Sequence, residues 1–232
     1  MSNKKFNQQK FNQFIIENNV IGFFQQPITL KSGRKSHCYV NWRNVSNDVF
    51  LMDRLTDFVI DFVKDKNLQP DCFYGVPEGA TKLAILVQYK WAKKSPFYGP
   101  FSHILAMGRG KPKDHGDEKD RFFIGVPKGK VIILEDVTTT GYSLLESINT
   151  IKKIKEASII AAIGLTNRME KGLDGKSVKE SVEEKGVPYF QMSKLPELLF
   201  LACQKNNPSK EIAQKVEEEF QQYGIEKLKL LN

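Results

Sequence analysis

Apolar residues follow two patterns along the chain, one with helical spacing and one continuous. Apolar positions three or four residues apart predict helices over four stretches: 6–19, 49–63, 80–93 and 141–155. Short and nearly continuous apolar runs predict buried strands over four others: 72–76, 101–107, 130–136 and 157–166. Continuous apolar strands that alternate with helices are typical of a parallel sheet covered on both faces. The pattern therefore predicts an α/β fold.

The two ends of the chain depart from this alternation. Residues 27–42 are predicted to form two short strands around a turn at Ser32. Residues 194–232 are predicted to be helical, and the mixed-charge stretch 170–185 before them is interpreted as a solvated surface segment. Because no internal repeat or low-complexity linker divides the chain, we expect a single domain over residues 1–232.

The composition is that of an ordinary globular protein. Hydrophobic residues make up 41% and charged residues 27%, which is not typical of disordered or collagen-like chains. No apolar run reaches the ~18 residues of a membrane helix, and the first ten residues lack the apolar stretch of a secretory signal. The three cysteines, Cys38, Cys72 and Cys203, form no Cys-x-x-Cys pair, so neither a zinc site nor a disulfide framework is predicted. We therefore expect a cytoplasmic location and no membrane partner.

The net charge of +8 raises the question of a polyanionic partner. Nucleic acid, an acidic membrane and a polyanionic small molecule all suit a basic protein, although charge alone favours an ordinary solvated surface. The positions of the cations are more informative, because residues 31–43 contain four of them and no acid: Lys31, Arg34, Lys35 and Arg43. A cation on a short β-turn can meet a carboxylated or phosphorylated substrate, and the alternative is a basic hairpin exposed to water.

The most informative segment joins a predicted strand to a predicted helix. The apolar run ends in Glu135 and Asp136, which are followed by three threonines (138–140) and by Gly141 at the start of a helix. A phosphate at such a strand end can be bound by loop N–H groups and by the helix N-terminus. Carboxylates suit ribose hydroxyls or a magnesium shell instead. The segment predicts a sugar-phosphate site, and the alternative is a capped helix after a strand with two exposed acids.

The whole string 131–143 resembles the phosphoribosyl pyrophosphate (PRPP) binding motif of the type I phosphoribosyltransferases. The resemblance implies that Glu135 and Asp136 bind the ribose hydroxyls. It also implies that the following loop surrounds the 5′-phosphate, through Val137, Thr138, Thr139, Thr140, Gly141, Tyr142 and Ser143.

Two further segments resemble the orotate phosphoribosyltransferases in particular. Residues 28–36 are similar to that family's N-terminal signature, which implies a ligand contact for Lys31. Residues 109–116, the cationic loop, are similar to its mobile catalytic loop. Cations there would stabilise departing pyrophosphate, with Lys113 as the first candidate for catalysis. The loop residues implied to bind PRPP are Arg109, Lys111, Lys113 and His115, of which Arg109 and His115 would support Lys113.

The family pattern is not followed at every position. Gly110 occupies the place of the family's second cation, and Lys111 is the candidate replacement. Residues 75–80 are similar to the family's pyrophosphate-binding turn, where Glu78 and Gly79 would bind PRPP through backbone N–H groups. The acidic side chain of Glu78 would repel pyrophosphate unless magnesium lies between them.

Arg168 follows the predicted strand 157–166 at the place where the family has an arginine that pairs with orotate. A guanidinium suits a planar carboxylate because two parallel N–H bonds can form. Asn167 stands where the family has an acid, and Val40 where it often has an aromatic ring. The resemblance implies an orotate site formed by Lys31, Tyr39, Val40, Thr139 and Arg168.

The resemblance implies a type I phosphoribosyltransferase fold, which is a mostly parallel sheet flanked by helices. We expect a small N-terminal hood over about residues 1–45, a mobile loop, and a helical extension over residues 208–232. The implied enzyme makes orotidine 5′-monophosphate and pyrophosphate from orotate and PRPP, in pyrimidine nucleotide biosynthesis. Mg²⁺ would be carried by PRPP and reach Asp136 through water, without a direct protein ligand. The family also implies a homodimer whose loops are donated in trans.

Two alternatives stay open, of which the second belongs to another functional class. The first is a phosphoribosyltransferase that acts on a purine or on uracil, and the second is a PRPP-sensing regulator that binds nucleic acid. The Lys31 hairpin and the cationic loop favour orotate over other bases. Against the regulator, the cations cluster at the predicted site and no recognition helix is apparent, so we expect no nucleic-acid partner.

Overall fold

The computed structural model describes residues 5–115 and 121–231. The strands are β1 (Ile21–Thr29), β2 (Lys35–Val40), β3 (Cys72–Gly75), β4 (Met107–Gly108), β5 (Phe123–Ile124), β6 (Gly129–Thr138), β7 (Ala157–Asn167) and β8 (Tyr189–Lys194). The helices are α1 (Gln8–Glu17), α2 (Arg43–Ser46), α3 (Val49–Asp65), α4 (Thr81–Lys93), α5 (Tyr142–Ile151), α6 (Val178–Glu183), α7 (Leu195–Asn206) and α8 (Lys210–Tyr223). No helix within these two ranges has the length and apolar character needed to cross a membrane.

A four-stranded parallel sheet in the order β3-β6-β7-β8 forms the centre of the molecule. Successive residues of β6 point to opposite faces, so Ile132 and Leu134 join one apolar cluster while Val131 and Ile133 join another. The first cluster is completed by α1, α3, α4, α7 and α8, and the second by α5 and α6. Both faces are therefore covered, which confirms the predicted α/β fold with a mostly parallel sheet.

The parallel arrangement brings the ends of neighbouring strands to one edge of the sheet. Gly75 pairs with Leu134, and Thr138 pairs with Asn167, so the segments after β3, β6 and β7 leave the sheet side by side. Ligands of open parallel sheets bind at this edge. The sequence segments that carry the predicted chemistry thus start from neighbouring points.

The predicted N-terminal strands form an antiparallel hairpin, which we call the basic hairpin (β1 and β2). The turn is closed by the Leu30 N–H, which donates to the Arg34 carbonyl over 2.8 Å, and Gly33 adopts a φ of 81°. β1 begins at Ile21, six residues before the predicted start at residue 27, because Ile21 is buried opposite Val40.

Two sequence-based predictions of secondary structure are wrong. In the stretch 101–107, only Met107 belongs to a strand, in the short pair of β4 with β5. Phe101 and Leu105 are exposed, while Ile104 and Ala106 pack against the second apolar cluster without forming a strand. The C-terminal extension is helical only as far as Tyr223; Gly224 then forms a β-bridge with Glu170, and residues 226–231 are not helical.

The interpretation of residues 170–185 as solvated surface is also wrong at its start. Glu170 is only 5% exposed, and Val178 and Val182 of α6 belong to the second apolar cluster. Ser177 caps α6 by accepting a hydrogen bond from the Glu180 N–H, while the Glu180 side chain accepts from the Ser177 N–H. The exposed charged residues of this stretch therefore alternate with buried positions, so the stretch as a whole is not a solvated segment.

Candidate active site

Glu135 lies near the end of β6 with a buried carboxylate that the protein leaves partly unsatisfied. Glu135 is only 7% exposed, and its Oε2 has no hydrogen-bond partner among the described residues. Burial, and then the negative charge of Asp136, raise the pKa of this carboxyl to about 8, while Lys31 opposes the shift. A buried oxygen without a donor is costly, so this position is suited to accept hydroxyl groups from a ligand.

Asp136 connects the strand end to the pyrophosphate turn (residues 76–80). A methyl group at Gly79 would fall 2.4 Å from one Asp136 carboxylate oxygen, so the Asp136 side chain lies directly against this glycine. The turn is fixed to β6 by the Val76 N–H, which donates to the Leu134 carbonyl. Burial raises the pKa of Asp136, and nearby backbone N–H groups and cations oppose the shift. The two acids and the turn therefore share one edge of the sheet.

The threonine loop (residues 137–143) uses its three threonines differently. Thr138 is fully buried, and its hydroxyl lies 2.7 Å from the hydroxyl of Tyr189 on β8. Its side chain therefore holds the strand end, and its backbone carbonyl accepts a hydrogen bond from the Arg168 N–H over 2.9 Å. Thr139 and Thr140 are partly exposed. Of the three threonines, the two whose side chains are open to solvent are thus Thr139 and Thr140.

The loop ends where α5 begins, and the basic hairpin meets it there. Gly141 precedes α5 with a φ of 77°, a conformation that favours glycine. The Lys31 Nζ donates a hydrogen bond of 2.8 Å to the Ser143 Oγ, across 112 positions of sequence. The exposed Tyr142 donates its hydroxyl proton to Glu146 on the same helix. The structure therefore brings Lys31, the strand-end acids and the α5 N-terminus together, as the sequence predicts.

The cationic loop starts beside the pyrophosphate turn. Gly108 packs where a side chain would meet the Tyr74 hydroxyl and Pro77, and a methyl group at Gly110 would fall 2.2 Å from a Glu78 carboxylate oxygen. Glu78 and Gly110 both depart from the family pattern, and the two departures are linked in space. The Glu78 carboxylate lies where a side chain at position 110 would begin.

The cations of the cationic loop differ in their exposure to solvent. The Lys113 N–H donates to the Arg121 carbonyl, and the Arg121 Nε donates to the Lys113 carbonyl, so the two sides of the loop are joined at this level. Lys111, Lys113 and His115 are exposed, and Arg109 is partly buried. Gly116, the last residue of the predicted loop motif, lies outside the described residues.

Arg168 is not a strand-end arginine in water. It is 2% exposed, and its Nε donates to the Glu170 Oε1 over 2.6 Å. Its terminal nitrogens donate to the Ser36 Oγ over 3.1 Å and to the Cys38 carbonyl over 3.4 Å. The other Glu170 oxygen pairs with Arg34 at 2.9 Å. Glu170 therefore supplies the negative charge that the sequence lacks at Asn167.

The remaining predicted orotate residues lie on alternating faces of β2. Val40 is 3% exposed, and its side chain packs in the main apolar cluster. Tyr39 is partly exposed on the opposite face. Ser36 and Cys38 share the buried face and contact Arg168, which sequence reasoning missed. Small or apolar side chains stand at positions 36, 38 and 40 and larger polar ones at 35, 37 and 39, and this period of two is the signal that could have indicated which side chains face inward.

Solved structures with the same fold are phosphoribosyltransferases. The orotate phosphoribosyltransferase of Francisella tularensis has a TM-score of 0.66 at 24% identity, over 93% of this chain and 99% of its own. An orotate phosphoribosyltransferase of Mycobacterium tuberculosis, solved in complex with PRPP, has a TM-score of 0.56 at 16% identity, over 82% and 98% of the two chains. The chain, with its strand-end acids and threonine loop, therefore has the fold of the type I phosphoribosyltransferases.

Sequence comparison narrows the class. The orotate phosphoribosyltransferase of Neisseria meningitidis serogroup C is 30% identical over 221 residues, which are 94% of this chain and 98% of the relative. No family model matches the chain. At this identity and coverage, the chain belongs to the orotate phosphoribosyltransferase family.

Proposed function

We propose that the protein transfers the phosphoribosyl group of PRPP to orotate, which yields orotidine 5′-monophosphate and pyrophosphate for pyrimidine nucleotide biosynthesis. The observation that carries this proposal is the buried, unpartnered Glu135 oxygen, beside Asp136 and within reach of the Lys31 charge. A buried oxygen without a donor lowers the stability of the folded protein. A ribose hydroxyl would supply the missing donor.

PRPP would bind along the edge of the sheet. Its ribose hydroxyls would donate to Glu135 and Asp136, and its 5′-phosphate would accept N–H groups of the threonine loop and of the first turn of α5. The N–H groups of Glu78 and Gly79 would bind the pyrophosphate, as the proximity of Gly79 to Asp136 supports. Thr138 would contribute through its backbone, because its hydroxyl is held by Tyr189.

Orotate would bind between the basic hairpin and the segment after β7. Lys31 would meet its negative charge from the turn, and Arg168 would use the N–H groups that the contacts to Glu170, Ser36 and Cys38 leave over. Thr139 and Tyr39 are partly exposed and would complete the base pocket, while Val40 would offer only backbone atoms.

The chemistry would depend on positioning and charge neutralisation. A ring nitrogen of orotate forms a bond to the anomeric carbon and loses its proton, while the bond from that carbon to the pyrophosphate oxygen breaks and pyrophosphate takes the electron pair. Lys113 would stabilise the departing anion, with Arg109, Lys111 and His115 in support. Because this charge develops in the transition state, these cations would act mainly on turnover.

The residues present fit magnesium carried by the substrate. The unpartnered Glu135 oxygen and the Asp136 carboxylate are acceptors suited to hydroxyls or to the water shell of Mg²⁺. Among the described residues, no group of three or more His, Cys, Asp or Glu side chains could hold a metal ion. In our proposal Asp136 would hold the ion through water, and the ion would neutralise charge on the pyrophosphate.

We also propose a cytoplasmic homodimer whose sites share loops. Large apolar side chains are exposed in and beside the connection between α4 and β4: Tyr89, Phe97, Tyr98, Phe101 and Leu105. A monomer rarely exposes so many in one stretch, which supports a protein–protein contact there.

Mixing the inactive Lys113→Ala and Asp136→Asn variants tests loop sharing. If loops act in trans, each mixed dimer contains one complete site and activity returns; if they act in cis, the mixture stays inactive.

The substrate is tested by following orotate absorbance with PRPP and Mg²⁺, and by repeating the reaction with uracil and hypoxanthine. Orotate should be consumed only when PRPP is present, and the other bases should react far more slowly. Faster turnover of hypoxanthine or uracil would indicate the alternative phosphoribosyltransferase. No turnover of any base, together with tight and salt-resistant binding of nucleic acid, would indicate the regulator instead.

A further inference from the structure

The C-terminal helix α8 contacts the same hairpin strand that Arg168 contacts. Glu219 of α8 has a mostly buried side chain, 17% exposed, aimed at β2. Its Oε2 accepts a hydrogen bond of 2.8 Å from the Ser36 hydroxyl, and its Oε1 accepts one of 2.8 Å from the His37 N–H. The His37 Nδ1 lies 2.7 Å from the same Oε1, and only a protonated nitrogen can bond to a carboxylate there. One carboxylate thus fixes two successive residues of β2.

Ser36 links this carboxylate to Arg168. Its Oγ lies 2.8 Å from both the Glu219 carboxylate and the Cys38 carbonyl, and it accepts from an Arg168 nitrogen over 3.1 Å. A hydroxyl has one proton, so it can donate to one of these acceptors at a time. Donation to a charged oxygen is the stronger choice, and it leaves the oxygen lone pairs of Ser36 directed at the guanidinium.

The end of α8 contacts Arg34, which shares Glu170 with Arg168. The Tyr223 ring lies under the Arg34 guanidinium, 4.5 Å away, and its carbonyl accepts the Lys171 N–H over 2.7 Å. Arg34 in turn pairs with Glu170, the partner of Arg168. The helix therefore contacts the Arg168 environment at two points, one turn apart.

We propose that Glu219 is a positioning residue for the base half of the site, because it orients the Ser36 hydroxyl and β2 so that Arg168 is held for the substrate carboxylate. Glu219 does not touch the reacting atoms. This inference rests on the proposed function, since it concerns the binding of orotate by Arg168.

The test compares Glu219→Gln, Ser36→Ala and the double variant, with Glu218→Gln as the matched control. Glu218 is exposed on the same helix and bonds only to Gln214 among the described contacts. Each test variant should raise KM for orotate about tenfold, the effect of one charge-assisted hydrogen bond, while kcat and KM for PRPP stay within about twofold. The double variant should equal the single variants, because both act through one chain of hydrogen bonds.

Several outcomes would overturn the inference. An unchanged KM for orotate in both single variants, or an equal rise of both KM values, would reduce Glu219 to a general structural role. Additive effects in the double variant would show that Ser36 and Glu219 act separately. If Glu219→Gln does not fold, Ser36→Ala alone decides by the same split of KM values. No orotate turnover by the unmodified protein would overturn the proposed function as well, which distinguishes the two failures.

Discussion

Two glutamates of almost equal burial show how differently the two halves of the site are built. Glu135, in the PRPP half, is 7% exposed and leaves one oxygen without a partner. Glu170, in the orotate half, is 5% exposed and has one arginine on each oxygen. The first carboxylate keeps one oxygen that no described residue satisfies, whereas both oxygens of the second are satisfied by the protein. One half is therefore costly until it is occupied, and the other half is ordered in advance.

This difference has a physical consequence for binding. An unsatisfied buried acceptor contributes to affinity, because the ligand relieves a cost that the free protein carries. A saturated ion cluster contributes orientation, because the arginine does not need to be ordered when the substrate arrives. We expect substitutions in the PRPP half to act on ligand binding and turnover, and those in the orotate half to act on stability and orientation.

The largest effect is expected from Lys113→Ala, which removes the cation that we propose stabilises the departing pyrophosphate. Turnover should fall by about 10²–10³-fold, while PRPP affinity changes little. Steady-state kinetics with orotate would measure this, with Lys111→Ala as a comparison for the cation missing at Gly110 and the exposed Lys155→Ala as a control. An unchanged turnover number would remove Lys113 from the mechanism.

The next effect in size is expected from Glu170→Gln, which breaks a buried cluster with two arginines. The variant leaves Arg168 and Arg34 without a counter-charge, so the free energy of unfolding should fall by about 3–5 kcal/mol. Urea denaturation without ligand measures this difference. Glu226→Gln, at an exposed position, is the control. A loss below about 1 kcal/mol would show that the cluster does not order this half of the site.

Glu135→Gln should change the free energy of unfolding in the opposite direction, because without ligand this variant should be more stable than the unmodified protein. The folded protein raises the pKa of this carboxyl from its ordinary 4.5 to about 8, so the folded state holds the proton between these values. Stability due to this group therefore declines as pH rises from 4.5 to about 8, and the full penalty is present above that range. The glutamine variant avoids this penalty, and at pH ~9 it should be more stable by about 1–3 kcal/mol.

Urea denaturation at several pH values, again with Glu226→Gln as the control, checks the expected sign. The gain in stability should shrink towards acid pH, where both side chains are uncharged. A variant that is less stable than the unmodified protein at alkaline pH would contradict the comparison, because it would mean that the Glu135 carboxylate is satisfied within the protein.

The same contrast explains which parts of the site could be predicted from the sequence. The PRPP half is largely one continuous string, so Glu135, Asp136 and the threonine loop are visible as neighbours in the sequence. Its strand is a continuous apolar run, which is why the parallel sheet could be predicted too. Thr138 is the exception: nothing local indicates that its hydroxyl faces Tyr189 in the interior.

The orotate half is assembled from distant segments and could be predicted only in part. Arg168 is recognisable, but its partners come from β2 and from two positions further along the chain. Glu219 lies 183 positions from Ser36, in a helix without a motif. The apolar stretch 101–107 misled for a related reason, because its pattern suits a strand but only its last residue, Met107, pairs with another strand. Local patterns specify elements and contiguous sites, whereas ion networks depend on the folded arrangement.

The most direct test of the PRPP site is a calorimetric titration of PRPP with Mg²⁺ at pH ~9, where the Glu135 carboxyl is ionised, into the unmodified protein, Glu135→Gln and Glu226→Gln. We predict that the unmodified protein and the Glu226 control bind PRPP equally, and that Glu135→Gln binds at least about tenfold more weakly because it loses a charge-assisted hydrogen bond. Equal affinity for all three, or no binding by the unmodified protein, would contradict the assignment of the β6 end as the ribose site.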